Sequence, residues 1–202
     1  MKHVEIAIIG AACILPKASN IRDFWDLILS GEVTISRQNG DEQGLPDFLR
    51  RSGKYVPIAS NLLADDIETF DAEFWGISPK DAALMDPQHK KALECAWHAL
   101  EDACIASDST NKRIGVYGSS SINNYIECNI ASHPEVLNSI GLYQLILGNC
   151  PEFLASRISY KLGLKGPSVS FHSACSSSLV ALHYASLDLI NNQCDVALVV
   201  SS

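Results

Sequence analysis

Short continuous apolar runs alternate along this chain with longer segments whose apolar residues have helical spacing. Val4–Ile9, Ile114–Tyr117 and Asp195–Ser201 are such runs, and each is only as long as a typical strand. Runs of this kind are typical of strands that are covered on both faces of a sheet. Because strands separated by helices indicate a layered arrangement, the pattern predicts an α/β fold with a mostly parallel sheet.

Local signals predict where the helices between these strands begin and end. Capping side chains precede helical spacing, prolines occupy first helical positions, and glycines follow last turns. The predicted helices run from Asn20 to about Ser30, from Ser78-Pro79, from Asp86-Pro87 to about Ala103, from Pro151 to Gly163, and from Leu179 to about Asn192. Residues 34–59 lack periodicity and predict a long irregular surface segment.

Composition narrows the possible partners of the protein. The chain has 202 residues, of which 47% are hydrophobic, so it can bury a substantial core. Its 15 basic and 23 acidic residues give a net charge of -8, which provides no general attraction to nucleic acid or to an anionic membrane. No apolar run approaches the length of a membrane span. We therefore predict neither a nucleic-acid partner nor a membrane partner.

The cysteines and most histidines suggest no metal site. The seven cysteines form no C-x-x-C pair and no cluster at metal-ligand spacing, which predicts reduced thiols in a cytoplasmic protein. His89 and His98 lie on the helix that begins at Pro87, and we interpret both as surface or edge residues. Arg157 and Lys161 are interpreted as solvated charges on the outer side of their helix.

The stretch from Ser168 to His183 is the strongest candidate for chemistry. It changes from strand-like alternation to helical spacing, and Cys175 lies at the change. Small residues surround the cysteine, as a sharp strand-to-helix turn that exposes a nucleophile requires; they are Ser173, Ala174, Ser176, Ser177 and Ser178. The free N–H groups of the new helix could bind an oxyanion. The alternative interpretation is that Cys175 is a small buried hydrophobic residue.

A helix terminus by itself activates a cysteine only weakly. It stabilises an adjacent charge by ~0.3 to 1 kcal/mol, so further activation of Cys175 needs another group, for which a histidine is the expected choice. His172 is on an extended segment three residues earlier, and we predict that it is not the base. His183 is eight residues further along the helix, which places it over ~10 Å away along the axis.

Several ordered motifs resemble those of one enzyme family. They are Phe70-Asp-Ala-Glu-Phe-Trp-Gly-Ile-Ser-Pro79, Met85-Asp-Pro-Gln88, Ala99-Leu-Glu-Asp-Ala103, Arg157-Ile-Ser-Tyr160, Gly166-Pro-Ser168 and Ala174-Cys-Ser-Ser-Ser-Leu-Val-Ala-Leu182. Together with Ile6 to Pro16 they resemble the β-ketoacyl synthases, most of all the ketosynthases of modular polyketide synthases. The resemblance covers nearly the whole chain.

This resemblance implies a thiolase-like fold, a layered α/β/α arrangement with a mostly parallel mixed sheet that is built from two similar halves and is usually dimeric. Residues 1–202 would be the N-terminal part of such a domain, which extends acyl chains by decarboxylative condensation. Cys175 would take an acyl group from the phosphopantetheine arm of an acyl carrier protein. Two histidines of the C-terminal half would assist the condensation, and no metal or redox cofactor is implied.

The chain departs from the family pattern in two ways. His172 and Ser173 replace an acidic or amide residue and a threonine, and the positions of the two family histidines lie beyond Ser202. Three hypotheses remain: the N-terminal part of a β-ketoacyl synthase, a non-catalytic binding or dimerising module derived from one, and a lone thiol acyltransferase or thioesterase. Without a second half to cover its last apolar strand, the isolated chain is expected to be poorly soluble or to self-associate.

Overall fold

The computed structural model describes residues 5–37, 59–60, 69–106, 111–131, 133–138 and 140–202. The chain divides into two compact units. One unit is Cys13–Ile67, and the other combines Met1–Ala12 with Glu68–Ser202.

In the unit Cys13–Ile67, helix α1 spans Ile21–Ser30 as the sequence predicted. The side chain of Asn20 accepts a hydrogen bond from Asp23 N at 3.0 Å, and Gly31 ends the helix in the left-handed conformation with φ 67. Strands β1 (Ser36–Arg37) and β2 (Ala59–Ser60) form an antiparallel pair. The predicted irregular segment thus begins and ends in short strands, and its residues 38–58 lie outside the described residues.

The larger unit contains a parallel sheet of three strands in the order β4-β3-β5. Strand β3 spans Ile114–Ser119, β4 spans Ser168–Ser170 and β5 spans Val196–Ser201. Tyr117 of β3 pairs with Val169 on one side and with Val199 on the other. Because all three strands run in the same direction, their carboxyl ends meet at one edge of the sheet. The predicted parallel sheet is confirmed.

The helices of this unit begin at the signals that the sequence provides. The side chains of Ser78 and Asp86 accept hydrogen bonds from first-turn amides, and a proline follows each of them. The α-helices are α2 (Pro79–Leu84), α3 (Pro87–Asp102), α4 (Pro134–Asn138), α5 (Leu142–Asn149), α6 (Leu154–Lys161) and α7 (Ser177–Ile190). A π-helix spans Ile126–Ile130, and 3-10 turns span Pro151–Phe153 and Ala174–Ser176.

Helices cover both faces of the sheet. Ile114 and Val116 of β3 belong to a buried cluster that includes Leu93 of α3 and Ile158 of α6. Tyr117, on the opposite face, belongs to a second cluster that includes Ala181 and Ala185 of α7. Successive residues of a strand point to opposite faces, so β3 is buried on both of them. The arrangement is therefore layered α/β/α.

Tyr117 connects the sheet to α7. Its hydroxyl donates a hydrogen bond to Asp188 at 2.7 Å, and its ring is completely buried. Burial and the contact with Asp188 raise the pKa of Tyr117, so the phenol stays protonated. A Cβ added at Gly115 would lie 2.8 Å from the ring of Tyr117, because the two residues are on the same side of β3. Glycine at position 115 therefore provides the space that the ring occupies.

The predicted strand Val4–Ile9 is wrong for the residues that are described. Residues 5–10 form no strand, and Ile6, Ile8 and Ile9 are exposed. A strand needs a neighbour for its backbone hydrogen bonds, and residues 5–10 join neither free edge of the β4-β3-β5 sheet. The segment instead approaches α3 closely, since a Cβ added at Gly10 would lie 2.4 Å from Ala99 O. Residues 1–4 lie outside the described residues.

Among the residues that the structure describes, no helix is both long enough and apolar enough to cross a membrane.

Candidate functional site

Cys175 lies at the strand-to-helix corner that the sequence predicted. The chain leaves the sheet at the end of β4, Phe171 N donates to Gly118 O at 2.8 Å, and α7 begins at Ser177. Cys175 is in the 3-10 turn Ala174–Ser176 between these elements and is exposed. The alternative interpretation of Cys175 as a buried hydrophobic residue is therefore wrong.

The backbone at this corner is strained. Ala174 has φ 51, in the left-handed region that residues with a Cβ rarely occupy, and this conformation costs on the order of 1 kcal/mol or more. Ser173 has φ -137 and ψ 42, which is neither helical nor extended. Such strain must be maintained by the surrounding contacts, and it is commonly found at functional turns.

Serine hydroxyls supply part of that support. Ser176 Oγ donates to Ser173 O at 2.8 Å, and the hydroxyls of the same two residues are 2.7 Å apart. Because the single proton of the Ser176 hydroxyl is used on Ser173 O, Ser173 Oγ is the donor between the two hydroxyls. Ser176 Oγ therefore bonds both the hydroxyl and the carbonyl group of Ser173, which connects the residues on either side of Ala174 and Cys175.

The first turn of α7 lies directly beyond the cysteine. Ser176 occupies the N-cap position, and its side chain makes no capping hydrogen bond to the helix. Ser177 N donates to Ala174 O, so the amides that remain for a ligand are those of the residues that follow Ser177 in the first turn. An exposed sulfur that closely precedes such amides in the chain is suited to attack a carbonyl group whose oxygen gains negative charge.

The histidines near Cys175 are not bonded to it. His172 and His183 are both exposed, and His183 contacts Tyr184 edge-on with ring centroids 5.6 Å apart. In the described part of the chain, the structure shows no hydrogen bond between Cys175 and either histidine. That His172 is not a catalytic base stays a prediction.

His89 is completely buried, which corrects the prediction of a surface or edge residue. Its Nδ1 accepts a hydrogen bond from Arg157 Nε at 3.3 Å, and the Arg157 guanidinium also donates to Leu147 O. Burial and the charge of Arg157 lower the pKa of His89 from 6.5 to about 4. His89 is therefore neutral at pH 7, with the proton on Nε2.

Sequence periodicity contains the signal that this prediction overlooked. His89 is four residues before Leu93 and seven before Ala96, so it lies on the inward side of α3 with these buried residues. His98 is exposed, with Nδ1 3.1 Å from Glu101 Oε2, as predicted.

The prediction that Arg157 and Lys161 are solvated charges is also wrong. Arg157 is half-buried, and burial lowers its pKa. Lys161 Nζ donates to Trp75 O at 2.8 Å and to Gly76 O at 3.1 Å, so the amine connects α6 to the turn before α2. Both residues are structural contacts of α6.

The structure contains no evident metal site in the part of the chain that it describes. No group of three or more His, Cys, Asp or Glu side chains in those residues is arranged to hold a metal ion.

Comparison with known proteins identifies the family. Residues 3–202 match the family model of the β-ketoacyl synthase N-terminal domain. The chain therefore belongs to this family, as its motifs suggested.

The relatives include large polyketide synthases. The chain is 42% identical over 202 residues to a phenolphthiocerol/phthiocerol polyketide synthase of Mycobacterium tuberculosis, a match of 96% of this chain and 13% of that protein. It is 37% identical over 203 residues to pikromycin polyketide synthase component PikAII of Streptomyces venezuelae, covering 96% of this chain and 5% of that protein. The chain thus spans a small fraction of these relatives.

Solved ketosynthases have the same fold over the matched part. Ketosynthase twelve of the bacillaene polyketide synthase of Bacillus amyloliquefaciens matches with a TM-score of 0.79 and 34% identity, covering 96% of this chain and 34% of that chain. An oxazolomycin ketosynthase domain of Streptomyces albus matches with a TM-score of 0.77 and 26% identity, covering 96% of this chain and 33% of that chain. The predicted thiolase-like fold is confirmed, and this chain corresponds to part of it.

Proposed function

We propose that this chain is the N-terminal part of a β-ketoacyl-[acyl-carrier-protein] synthase of the polyketide type, and that Cys175 is its acyl acceptor. The observation that supports this most is the exposed Cys175 at a strained strand-to-helix turn, immediately before the N-cap residue of α7. Because the chain belongs to the β-ketoacyl synthase family, we expect this cysteine to act as the nucleophile of a condensation reaction.

In the proposed first half-reaction, the Cys175 thiolate attacks the carbonyl carbon of an acyl group carried on the phosphopantetheine arm of an acyl carrier protein. The carbonyl oxygen becomes an oxyanion, which the amides that follow Ser177 in the first turn of α7 can stabilise. The bond between the carbonyl carbon and the pantetheine sulfur then breaks, and the departing thiolate takes up a proton. One thioester replaces another of similar energy, so the step needs no metal or redox cofactor.

The proposed second half-reaction requires the C-terminal half of the domain. A malonyl-type extender loses carbon dioxide, and the resulting enolate carbon attacks the acyl group on Cys175. A carbon–carbon bond forms, the carbon–sulfur bond breaks, and the Cys175 thiolate is released. The partners in this proposal are the acyl carrier protein, the C-terminal half and a second copy of the complete domain. The setting is the cytoplasm, and neither nucleic acid nor a membrane takes part.

Acyl transfer can be tested with the chain itself. We expect intact mass spectrometry to show one added acyl group after incubation with an acyl thioester of pantetheine or of an acyl carrier protein, and peptide mapping to place it on Cys175. Cys175→Ala should abolish the adduct because it removes the nucleophile. Cys104→Ala, which removes another exposed thiol, should leave it unchanged.

Two results would contradict the proposal. One is the absence of any adduct on the wild-type chain, which would favour a non-catalytic module derived from a ketosynthase. The other is an adduct that is distributed equally among the exposed cysteines, since this would reflect general thiol reactivity.

A further inference from the structure

The hydroxyl of Ser177 is bonded to the backbone on both sides of Ala174. Ser177 Oγ accepts a hydrogen bond from Ser173 N at 2.8 Å and donates one to Ala174 O at 2.8 Å. The backbone N–H of Ser177 donates to the same carbonyl group. A single residue therefore holds the peptide group before Ser173 and the peptide group after Ala174, so its bonds span the strained turn.

These bonds oppose the relaxation of Ala174. Its φ of 51 is unfavourable for a residue with a Cβ, so the turn would move toward an ordinary conformation if the contacts were lost. Ser173 and Ala174 are both exposed, which means that water could replace the lost hydrogen bonds. Loss of the hydroxyl would thus change the shape of the turn and leave the rest of the fold intact.

The shape of the turn determines where the sulfur lies. Cys175 directly follows Ala174, and the first turn of α7 directly follows Cys175. Because β4 is paired with β3 and α7 packs on the sheet, both ends of the turn are held. A rotation at Ala174 must therefore be compensated within residues 173–176, and this moves the Cys175 sulfur relative to the amides of α7. Transfer reactions are sensitive to displacements of this kind, because donors must meet the oxygen at about 3 Å.

We propose that Ser177 is a positioning residue for acyl transfer: its hydroxyl keeps the Ser173–Ala174 turn in the conformation that places the Cys175 sulfur beside the first amides of α7. This inference rests on the proposed function, and it assigns to Ser177 a role separate from that of the nucleophile. Ser178 provides a matched comparison, since its hydroxyl makes no hydrogen bond to the turn among the described residues.

Alkylation by iodoacetamide tests the inference without any acyl substrate. The rate at Cys175 is measured by peptide mass spectrometry in the full 202-residue chain, with the exposed Cys104 as internal reference. Ser177→Ala should slow alkylation roughly two- to fivefold, the size of a helix-terminus effect on a thiolate. Ser177→Thr keeps the hydroxyl and should restore the rate, while Ser178→Ala should match the wild type. A wild-type rate in Ser177→Ala, or no rescue by threonine, overturns the inference.

Acyl transfer provides a second, independent readout. Ser177→Ala should slow acylation of Cys175 by roughly tenfold, more than alkylation, because only acylation needs the amide donors to be aligned with an oxyanion. The melting temperature should stay close to that of the wild type. Equal slowing of both reactions with a lowered melting temperature overturns the inference. If the wild-type chain accepts no acyl group, the proposed function fails, and the alkylation series still decides the role of Ser177.

Discussion

His89 is a titratable side chain in a position where only its neutral form is stable. It is completely buried, and the neighbouring guanidinium of Arg157 donates to its Nδ1. Protonation would place two positive charges beside each other in a site of low dielectric constant. A polar residue in register with Leu93 and Ala96 can be recognised in the sequence, but its partner cannot, because Arg157 is 68 residues away along the chain.

The pH dependence of stability should reveal this residue. The pKa of His89 is 6.5 in the unfolded chain and about 4 in the folded chain. Between pH 6.5 and pH 4, the unfolded chain therefore binds a proton that the folded chain does not. The free energy of unfolding should therefore fall as the pH decreases from 6.5 to 4, by about 3 kcal/mol in total. His89→Gln should remove this contribution to the pH dependence. The free energy of unfolding is measured for both proteins by urea unfolding at pH 7, 6 and 5.

A matched control is available on the same helix. His98→Gln changes an exposed histidine and should leave the pH dependence like that of the wild type. If His89→Gln has the same dependence on pH as the wild type, the assignment to His89 is wrong.

Cys175 and Ser177 show which features of the site residue patterns can predict and which they cannot. The run of small residues between strand-like and helical spacing predicted an exposed cysteine at a corner, because that prediction depends on local sterics. The two hydrogen bonds of the Ser177 hydroxyl could not be predicted. They depend on the positive φ of Ala174, and alanine is not a residue that signals such a conformation.

Helix α7 packs on the sheet through its small residues. Ala181 and Ala185 are buried against the sheet, whereas Leu179 and Leu182 point away from it and are exposed. The hydrogen bond from Tyr117 to Asp188 supplements this narrow contact. An element that packs with little apolar area depends more strongly on its polar contacts.

Tyr117→Phe should therefore weaken the attachment of α7. The change removes the hydrogen bond to Asp188 and should lower the free energy of unfolding by about 1 to 2 kcal/mol, because the acceptor is a carboxylate that is only partly exposed. Chemical denaturation measures the loss. Tyr160→Phe alters an exposed tyrosine on α6 and should change stability by less than about 0.5 kcal/mol. Equal effects of the two substitutions would contradict the role of Tyr117.

The elements differ in how well the sequence predicts them, for a physical reason. The starts of α1, α2 and α3 were correct because capping side chains and prolines act within a few residues. The segment Val4–Ile9 was wrong because an apolar run shows that a strand could be buried, without showing whether a neighbouring strand is available to pair with it.

Considered as a whole, the chain exposes many large apolar side chains. Ile8 is 85% exposed, Ile122 is 95% exposed and Leu179 is 70% exposed. Exposed apolar surface favours association between molecules because it removes that surface from water. The layered fold could be predicted from the alternation of strands and helices. The extent of the exposed apolar surface could not, because it depends on which faces of the helices and strands pack against another element.

The purified chain should accordingly self-associate at micromolar concentration. Replacing Leu179 and Leu182 together by glutamine should increase the monomer fraction in sedimentation velocity, because it removes apolar area from the exposed side of α7. Replacing Ser178 and His183 by glutamine changes the same helix without removing large apolar groups, so it should leave association unchanged. A wild-type chain that remains a stable, dilute monomer would contradict this expectation.

The close approach of Gly115 and Tyr117 links two positions that have different roles. Any side chain at position 115 would occupy the space of the ring, and displacement of the ring would also remove the phenol from Asp188. Variation at position 115 is therefore compatible with this packing only when position 117 becomes smaller, and the smaller residue would have no hydroxyl to reach α7. Among sequences that keep this architecture, the two sites should vary jointly.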